Sequence, residues 1–424
     1  MRDQLLAPDR PRWPDGVHAA ESPASSTSFD RWLIALIQHP LVRVGVRMQL
    51  WDGYHASDED APAGTIVVHD RRTLIQLAIN PDLHFGDAYM LRRLDVHGDL
   101  ERTLQAFSRT TPTVLTRWRD RLTRLFAPAN DRLTARRNVH HHYDIGNDFY
   151  RLWLDDQLVY TCAYFPAPDA SLEDAQIAKL DLVCRKLRLQ PGERVIEAGC
   201  GWGALALHMA RRYGVTVRAF NISREQLAVA RERAAREGLS GRVEFIEDDY
   251  RNIAGRCDAF VSVGMLEHVG RRNYAALASA IRRVLDPDTG RGLLHFIGRD
   301  RPRPLNAWIR RRIFPGAYPP ALGEVHRTIL EPGGFAVLDV ENLRLHYART
   351  LEHWRTRFER AERAVCTMFD DAFYRAWRLY LAGSEAAFVT GTLQLFQVVF
   401  AAPQWDPPYW TRASMYPGGD RADT

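Results

Sequence analysis

Residues 193–214, ERVIEAGCGWGALALHMARRYG, decide the fold of this chain. The β-rich piece ERVIEA predicts a strand, ALALHMARRYG predicts a helix, and three glycines spaced G-x-G-x-G join them. Glycine lets a backbone approach a ligand closely, and the amino end of a helix is electropositive. The turn therefore predicts a ligand site where the strand ends.

The same alternation continues along the chain. The pieces VTVRAF, RVEFIE, DAFVSVG and GLLHFIG are predicted strands, and a helix is predicted around residues 273–285. Ser223 is a predicted cap of the helix SREQLAVARERAAREG, with Gln226 three residues later. This pattern predicts an α/β fold, in which a parallel sheet is covered on both faces and binds ligands at the carboxyl ends of its strands.

The glycine spacing departs from the dinucleotide pattern G-x-G-x-x-G, and Asn221 stands where a ribose-binding acid is expected. A nicotinamide site is therefore disfavoured. Glu197 before the glycines and Asp248-Asp249-Tyr250 after the third strand resemble the S-adenosylmethionine (SAM) pocket of the Rossmann-like methyltransferases. The resemblance implies that the glycine loop contacts the methionine half of SAM.

By the same resemblance, Asn221, Ser223 and Gln226 lie on the ribose side, and Asp249 and Tyr250 lie on the adenine side. The complete set of implied cofactor-binding residues is Tyr160, Thr161, Glu197, Gly199, Cys200, Gly201, Trp202, Asn221, Ser223, Gln226, Asp249 and Tyr250.

Further strings make the resemblance more specific. HYDIGNDFY (142–150), YTCAYF, MLEHVG, LLHFIG, IRRRIFP and HYARTLEHW resemble, in this order, the cyclopropane-fatty-acyl-phospholipid synthases and the related mycolic-acid cyclopropane synthases. The resemblance covers residues from about 138 to 400. The string FGDAYMLRRLDVHGDL extends it weakly back to about residue 65, into a small N-terminal domain.

Such a family transfers a methylene group from SAM to the cis double bond of unsaturated phospholipid acyl chains and forms a cyclopropane ring. An enzyme-bound bicarbonate is implied as the base that deprotonates the carbocation. The residues matching that site are Cys162, Glu267, His295, the backbone of Ile297, and Tyr347.

The context of these residues fits independently of the family. Glu267 follows a predicted strand at its carboxyl end, His295 interrupts an apolar strand, and Tyr347 lies in the strand-like piece LRLHYA. The alternatives are a core histidine, a charged loop residue, a small buried cysteine and a packing tyrosine.

Two other functions stay open. A SAM-dependent fatty-acid C-methyltransferase would give a methyl or methylene branch instead of a ring, and a non-catalytic lipid-binding relative is disfavoured by the intact site residues. The sequence departs from the family at Ser384, Val389 and the shortened loop FPGAYPP. A net charge of +5 on 424 residues does not indicate a nucleic-acid partner, and no nucleic-acid module is recognisable.

Composition and pattern suggest five segments: a disordered lead (1–28), a small α+β domain associated with lipid (29–112), a linker (113–137), the SAM-dependent catalytic domain (138–410) and a mobile tail (411–424). Five widely spaced cysteines without a C-x-x-C pair favour a reducing cytoplasm and no zinc site. Consecutive histidines at 140–142 cannot all face one ion, so no metal is expected.

No apolar run of the sequence is long enough to span a bilayer. Arg310, Arg311 and Arg312 beside Trp308, Ile309, Ile313 and Phe314 form either a patch for anionic lipid or an ordinary basic turn over a core helix. Peripheral association with the inner face of the cytoplasmic membrane follows from the first interpretation, and the family resemblance implies a homodimer.

Overall fold

The computed structural model describes residues 25–57, 63–109, 145–405 and 411–416. The chain divides into two compact units. The first contains Met1–Phe126, Pro304–Pro315 and Leu351–Thr392, and the second contains Ala127–Arg303, Gly316–Thr350 and Leu393–Thr424. Most of the predicted lead (1–24), the whole predicted linker (113–137) and residues 417–424 of the predicted tail lie outside the described residues. The predicted domain boundaries stay predictions.

The elements follow one another along the chain as predicted for the α/β part. The strands are β1 (Val46–Gln49), β2 (Gly64–Val68), β3 (Leu94–His97), β4 (Arg194–Ala198), β5 (Thr216–Asn221), β6 (Val243–Glu247), β7 (Ala259–Val263), β8 (Arg291–Gly298), β9 (Ala336–Asn342) and β10 (Gln394–Ala401). The first helices are α1 (Ser28–Val42), α2 (Arg71–Ile79), α3 (Pro81–Met90), α4 (Leu100–Ser108), α5 (Asn147–Arg151), α6 (Leu172–Lys186), α7 (Ala204–Tyr213) and α8 (Arg224–Arg236). The later helices are α9 (Leu266–Val269), α10 (Tyr274–Val284), α11 (Ala307–Arg312), α12 (Leu322–Val325), α13 (Glu331–Gly333), α14 (Arg344–Arg360), α15 (Glu362–Met368) and α16 (Asp371–Val389).

The first unit contains a three-stranded sheet in the order β1-β2-β3. β1 and β2 are parallel, whereas β2 and β3 are antiparallel. The predicted α+β character is confirmed. α1 begins at a capping box formed by Thr27 and Asp30. Phe29, Trp32 and Leu36 on this helix are more than half exposed.

The Arg-rich segment 308–314 also lies in the first unit. Trp308 and Ile313 are buried, and the indole ring of Trp308 covers Gly86 of α3, where a Cβ atom would lie 2.4 Å from the ring. Arg312 donates a hydrogen bond of 2.9 Å to the carboxylate of Asp87. Since these apolar side chains are core, the interpretation of the segment as an apolar membrane patch is wrong for Trp308 and Ile313.

The second unit contains a seven-stranded sheet in the order β6-β5-β4-β7-β8-β10-β9. The strands from β6 to β8 in this order are parallel, which confirms the prediction, and β10 is antiparallel to both β8 and β9. β4 has β5 on one side and β7 on the other, so the strand order reverses there. In open sheets of this kind a crevice forms at that point, outside the carboxyl ends of the strands.

Helices cover both faces of this sheet. Val195 of β4 belongs to a buried cluster with residues of α6, α7 and α8, whereas its neighbour Ile196 belongs to a second cluster with residues of α10. Neighbouring residues of a strand point to opposite faces, so the two clusters lie on the two sides of the sheet. Burial on both faces explains why the central strands β7 and β8 are buried at almost every residue.

The piece LRLHYA was interpreted as strand-like, and this interpretation is wrong. Its residues lie in and directly before α14, and the Tyr347 N–H donates to the Leu343 carbonyl at 3.1 Å. The buried side chains follow at helical spacing, at Leu343, Tyr347, Leu351, Trp354 and Phe358. In the described part of the chain, no helix has both the length and the apolar character needed to cross a membrane.

Candidate active site

A cavity in the second unit opens at the carboxyl ends of β4, β5, β6 and β7. Every predicted cofactor residue but one lines it, namely Tyr160, Thr161, Glu197, Gly199, Cys200, Gly201, Trp202, Asn221, Gln226, Asp249 and Tyr250. Ser223 is the exception. Its buried hydroxyl accepts a hydrogen bond from the Gln226 N–H, so Ser223 caps α8 and does not face the cavity.

The three glycines of the loop differ in the space around their Cα atoms. A Cβ atom on Gly203 would lie 2.7 Å from the Phe245 ring, and one on Gly199 would lie 2.9 Å from Met265 Cβ. Both glycines have positive φ, so they allow the strand, the loop and α7 to pack closely. Around Gly201 the corresponding space is open. The loop therefore offers backbone to a ligand at Gly201.

Polar side chains hold the rest of the cavity wall. Asn221 donates to the Gly201 carbonyl at 3.2 Å and to the Gln226 side chain at 2.8 Å, which links the glycine loop to α8. The indole N–H of Trp202 donates to Asn147 at 2.7 Å. Asn147 thus helps to order the wall, whereas His140–His142 and Asp144 lie outside the described residues.

The predicted base-site residues lie directly behind this wall. Gly264 lines the cavity, and its N–H donates to the His295 carbonyl at 2.9 Å. Glu267, at the start of α9, accepts a hydrogen bond of 2.5 Å from the Ile297 N–H through its Oε1 atom. His295 and Ile297 are two residues apart on β8 and so share one face of the sheet.

A chain of contacts joins Cys162 and Tyr347 to the same group. The Cys162 sulfur lies 3.9 Å from the Leu343 carbonyl, which also accepts from the Tyr347 N–H. The Leu343 N–H in turn donates to the carbonyl of Leu395, the residue that pairs with Ile297 across β10 and β8. These contacts place the five predicted residues in one region of the second unit.

Burial controls the electrostatics of this group. Cys162, Glu267, His295 and Tyr347 are all at least nine-tenths buried. Burial raises the pKa of Glu267 to about 7. Burial, together with the nearby positive charge of Lys179, lowers the pKa of His295 well below its usual value, so the imidazole is neutral at neutral pH.

Gln397 of β10 determines which nitrogen of His295 carries the proton. The Gln397 side-chain nitrogen lies 3.1 Å from Nδ1 of His295. An amide nitrogen can only donate, so Nδ1 accepts and the proton is on Nε2. Among the described residues, neither this Nε2 nor the Oε2 atom of Glu267 has a hydrogen-bond partner. The group therefore offers a buried donor and a buried acceptor to a ligand.

The comparison with protein families decides the identity of the catalytic part. The profile described as mycolic acid cyclopropane synthetase matches residues 130–398. The chain belongs to this family. A second profile, described only as a domain of unknown function (DUF7884), matches residues 36–117 of this cyclopropane synthetase family member.

Curated relatives of this chain carry two kinds of name. A "Probable fatty acid methyltransferase" of Pseudomonas putida is 36% identical over 88% of this chain and 96% of its own length. The "Tuberculostearic acid methyltransferase UfaA1" of Mycobacterium tuberculosis is 32% identical over 92% and 95%. The "Cyclopropane-fatty-acyl-phospholipid synthase" of Escherichia coli is 41% identical over 61% and 66%.

Two solved structures resemble this chain over most of their own length. The cyclopropane synthase MmaA2 from Mycobacterium tuberculosis has a TM-score of 0.60 at 31% identity, covering 63% of this chain and 98% of that one. The mycolic acid cyclopropane synthase CmaA1 complexed with SAH and CTAB has a TM-score of 0.59 at 32% identity, covering 62% and 97%. The fold is therefore that of the Rossmann-like SAM-dependent methyltransferases.

Sequence reasoning missed several side chains at this site. Gln397 carries a weak signal, since it is polar within the apolar strand LFQVVF. Thr350 accepts from the Ala163 N–H at 3.0 Å and donates to the His346 carbonyl at 2.7 Å, and so fixes the backbone beside Cys162. Lys179 and His268 line the cofactor cavity. His268 stands in the string MLEHVG directly after Glu267, whereas no motif pointed to Lys179.

Proposed function

We propose that this chain transfers a methylene group from SAM to the cis double bond of unsaturated phospholipid acyl chains and forms a cyclopropane ring. The observation that carries the proposal is the buried pair of Glu267 Oε2 and His295 Nε2 behind the cofactor cavity. An alkene is a weak nucleophile and the cation formed from it is short-lived, so the reaction needs a site that excludes water and holds a proton acceptor.

The chemistry balances without a covalent enzyme intermediate. An alkene carbon attacks the sulfonium methyl, the new C–C bond forms as the S–C bond breaks, and S-adenosylhomocysteine (SAH) leaves. The cation then loses a proton from the transferred carbon as the second C–C bond closes. The acyl chain thereby gains one CH2 and one proton is released, so the enzyme must supply a proton acceptor near the cavity.

The residues present fit a bound bicarbonate. Bicarbonate, when bound, would supply the base for the final proton. Glu267 Oε2 can accept from its hydroxyl, and the Nε2–H of His295 can donate to one of its oxygens. The Ile297 N–H already donates to Glu267 in this structure, so the side chain of Glu267 would have to turn before that N–H met a ligand.

A second candidate function is a fatty-acid C-methyltransferase that leaves a methyl or methylene branch. The names of the Pseudomonas putida and UfaA1 relatives, which align over nearly their whole lengths, favour it. The same cation is formed in both reactions, and the products differ in where the cation loses its proton. The buried Glu267–His295 group serves either outcome.

The deciding experiment incubates the purified chain with SAM and vesicles of a mono-unsaturated phospholipid. Mass spectrometry of the released acyl chains should show one added CH2 per double bond, and gas chromatography separates ring from branch. Vesicles of saturated phospholipid are the control. Unchanged unsaturated chains, under conditions where SAM binds, would overturn both candidate functions.

Removal of bicarbonate tests the base. Turnover in buffer freed of carbon dioxide should fall, and added bicarbonate should restore it in a saturable manner. Equal rates with and without bicarbonate would assign the proton to Glu267 or His295 directly.

The substrate also requires contact with a bilayer, and α1 provides a surface for it. The exposed side chains Phe29, Trp32 and Leu36 recur at helical spacing, and the acid of this helix, Asp30, is buried against Arg71. Exposed aromatic and aliphatic side chains without exposed acids suit an anionic interface. Trp32→Glu should reduce sedimentation with anionic vesicles, whereas unchanged sedimentation would exclude this surface.

The homodimer and a location at the inner face of the cytoplasmic membrane stay predictions.

A further inference from the structure

Lys179 and Lys186 are the only lysines in a chain that has 57 basic residues, and both lie on α6. Both side chains are almost completely buried. Lys186 has an evident structural partner, since its ammonium donates to the Glu341 carboxylate at 2.5 Å. Lys179 has no such ion pair among the described residues. All other basic residues counted here are arginines, so these two positions favour the compact ammonium group of lysine.

The ammonium of Lys179 lies at the wall of the cofactor cavity. It donates to the Thr161 hydroxyl oxygen at 2.9 Å, and both residues line the cavity. An ammonium has three N–H donors, and this bond uses one. The Thr161 oxygen accepts in this bond, so its own hydrogen can point toward a ligand. The wall therefore presents several donors and one positive charge at the same place.

Glu197 places a carboxyl group in the same cavity. Its Oε2 atom is buried and has no hydrogen-bond partner among the described residues. Glu197 and Lys179 act on each other electrostatically but do not form an ion pair within the described part of the chain. An ammonium and a carboxyl group that line one cavity without pairing with each other suit a zwitterionic ligand, such as the amino-acid end of SAM.

We propose that Lys179, together with the Thr161 hydroxyl that it holds, receives the α-carboxylate of the methionine half of SAM. The ammonium would repel the sulfonium and the α-amino group, so the cofactor can enter with its carboxylate toward α6 only. Lys179 is thus a specificity-determining residue for the cofactor. This inference rests on SAM being the methyl donor.

Binding of two ligands to the full chain separates this role from a purely structural one. SAH contains the α-carboxylate, whereas 5′-methylthioadenosine contains the same adenosine and sulfur without the amino-acid end. Lys179→Met should weaken SAH binding about tenfold or more, since a hydrogen bond to a charged group is lost, and should leave methylthioadenosine binding within about twofold. Thr161→Val should weaken SAH binding in the same selective way.

Lys186→Met is the matched control, because it removes the other buried lysine of α6 away from the cavity. It should lower the melting temperature and leave the ratio of the two affinities unchanged. Equal losses for both ligands in Lys179→Met, or no loss for either, would overturn the inference. If the unaltered chain bound neither SAM nor SAH, the proposed function itself would fail.

Lysine labelled with 15N at Nζ gives a test without substitution, since the chain contains two such atoms. SAH should shift one of the two signals strongly, and methylthioadenosine should not. Equal shifts from both ligands would contradict the inference.

Discussion

Glu267 and His295 are polar groups that the fold has removed from water without satisfying them fully. A buried polar atom without a hydrogen bond costs about 1–3 kcal/mol, so Glu267 Oε2 and His295 Nε2 destabilise the ligand-free protein. Such a cost is understandable where a ligand completes the bonds. The backbone of His295 is joined to the cavity wall, because its carbonyl accepts from the N–H of Gly264, which lines the cavity.

The pH dependence of turnover should report Glu267. Burial raises its pKa to about 7, and the carboxylate form is the acceptor. Turnover should therefore rise as pH increases through about 7. Glu267→Gln should lose this rise and about 100-fold in turnover while binding SAH normally by calorimetry. A variant that kept its turnover would remove Glu267 from the base site.

Gln397→Leu should release the proton on His295 to either nitrogen. We expect turnover to fall about tenfold or more while SAH affinity stays unchanged, because the donor toward the ligand is no longer fixed. Gln394→Leu is the control on the same strand, since Gln394 bonds to Asn342 near the surface. Equal effects of the two substitutions on turnover would point to strand packing instead.

At this scale the sequence predicted Cys162, Glu267 and His295 because each breaks its local pattern or matches a family string. The sequence could not predict Gln397, because the contact of its side chain with His295 depends on the register of two strands that lie about one hundred residues apart in the chain. Ser223 shows the opposite error. Its cap was predicted correctly, but its side chain is completely buried and does not line the cavity.

At the scale of elements, the antiparallel strand β10 completes the site. It lies between β8 and β9, so Gln397 pairs with His295 and Leu395 pairs with Ile297.

The alternating helices and strands of residues 193–298 could be predicted from periodicity. The β8-β10-β9 order could not, because antiparallel insertion is decided by tertiary pairing. Tyr347 was assigned to a strand because the six residues LRLHYA fit an alternating pattern. The helical period becomes evident only over the longer span of α14.

The hydroxyl of Thr350 on α14 should contribute measurably to the free energy of unfolding. Thr350→Val keeps the shape but leaves the buried Ala163 N–H without its acceptor, which should cost about 1–3 kcal/mol of unfolding free energy. Thr356→Val is the control, because Thr356 makes the same bond to a carbonyl four residues earlier at an exposed position. Denaturant unfolding of both variants checks the difference, and equal losses would contradict it.

At the scale of the whole molecule, a partly buried charge network links three helices of the first unit. Arg355 donates to Glu101 at 2.8 Å, to Glu385 at 2.9 Å and to Glu359 at 3.3 Å. Glu101 is on α4, and the other two acids are on α14 and α16. The sequence suggested the N-terminal domain from its local pattern, but it gave no signal that residues 351–392 belong to the same compact unit.

Burial and a hydrogen bond with Glu101 raise the pKa of Glu385. The folded state therefore binds this proton more tightly than the unfolded chain does. Its stabilising effect is present below the ordinary pKa of glutamate and is lost as pH rises through the folded value. Glu385→Gln stays neutral, so its melting temperature should fall less than that of the unaltered chain between mildly acidic and alkaline pH. Exposed Glu352→Gln is the control, and parallel curves for Glu385→Gln would contradict the assignment.

The composition of the first unit also has a consequence for how the chain is made. α4 packs against α16, but about 260 residues separate the end of α4 from the start of α16. At a synthesis rate of about 5–20 residues per second, α4 waits roughly 13–52 s on the ribosome for its partner. The apolar side chains Leu100 and Leu104, buried in the finished protein, are without that cover throughout this interval. The nascent chain is therefore a candidate for chaperone binding until the second unit has been synthesised almost completely.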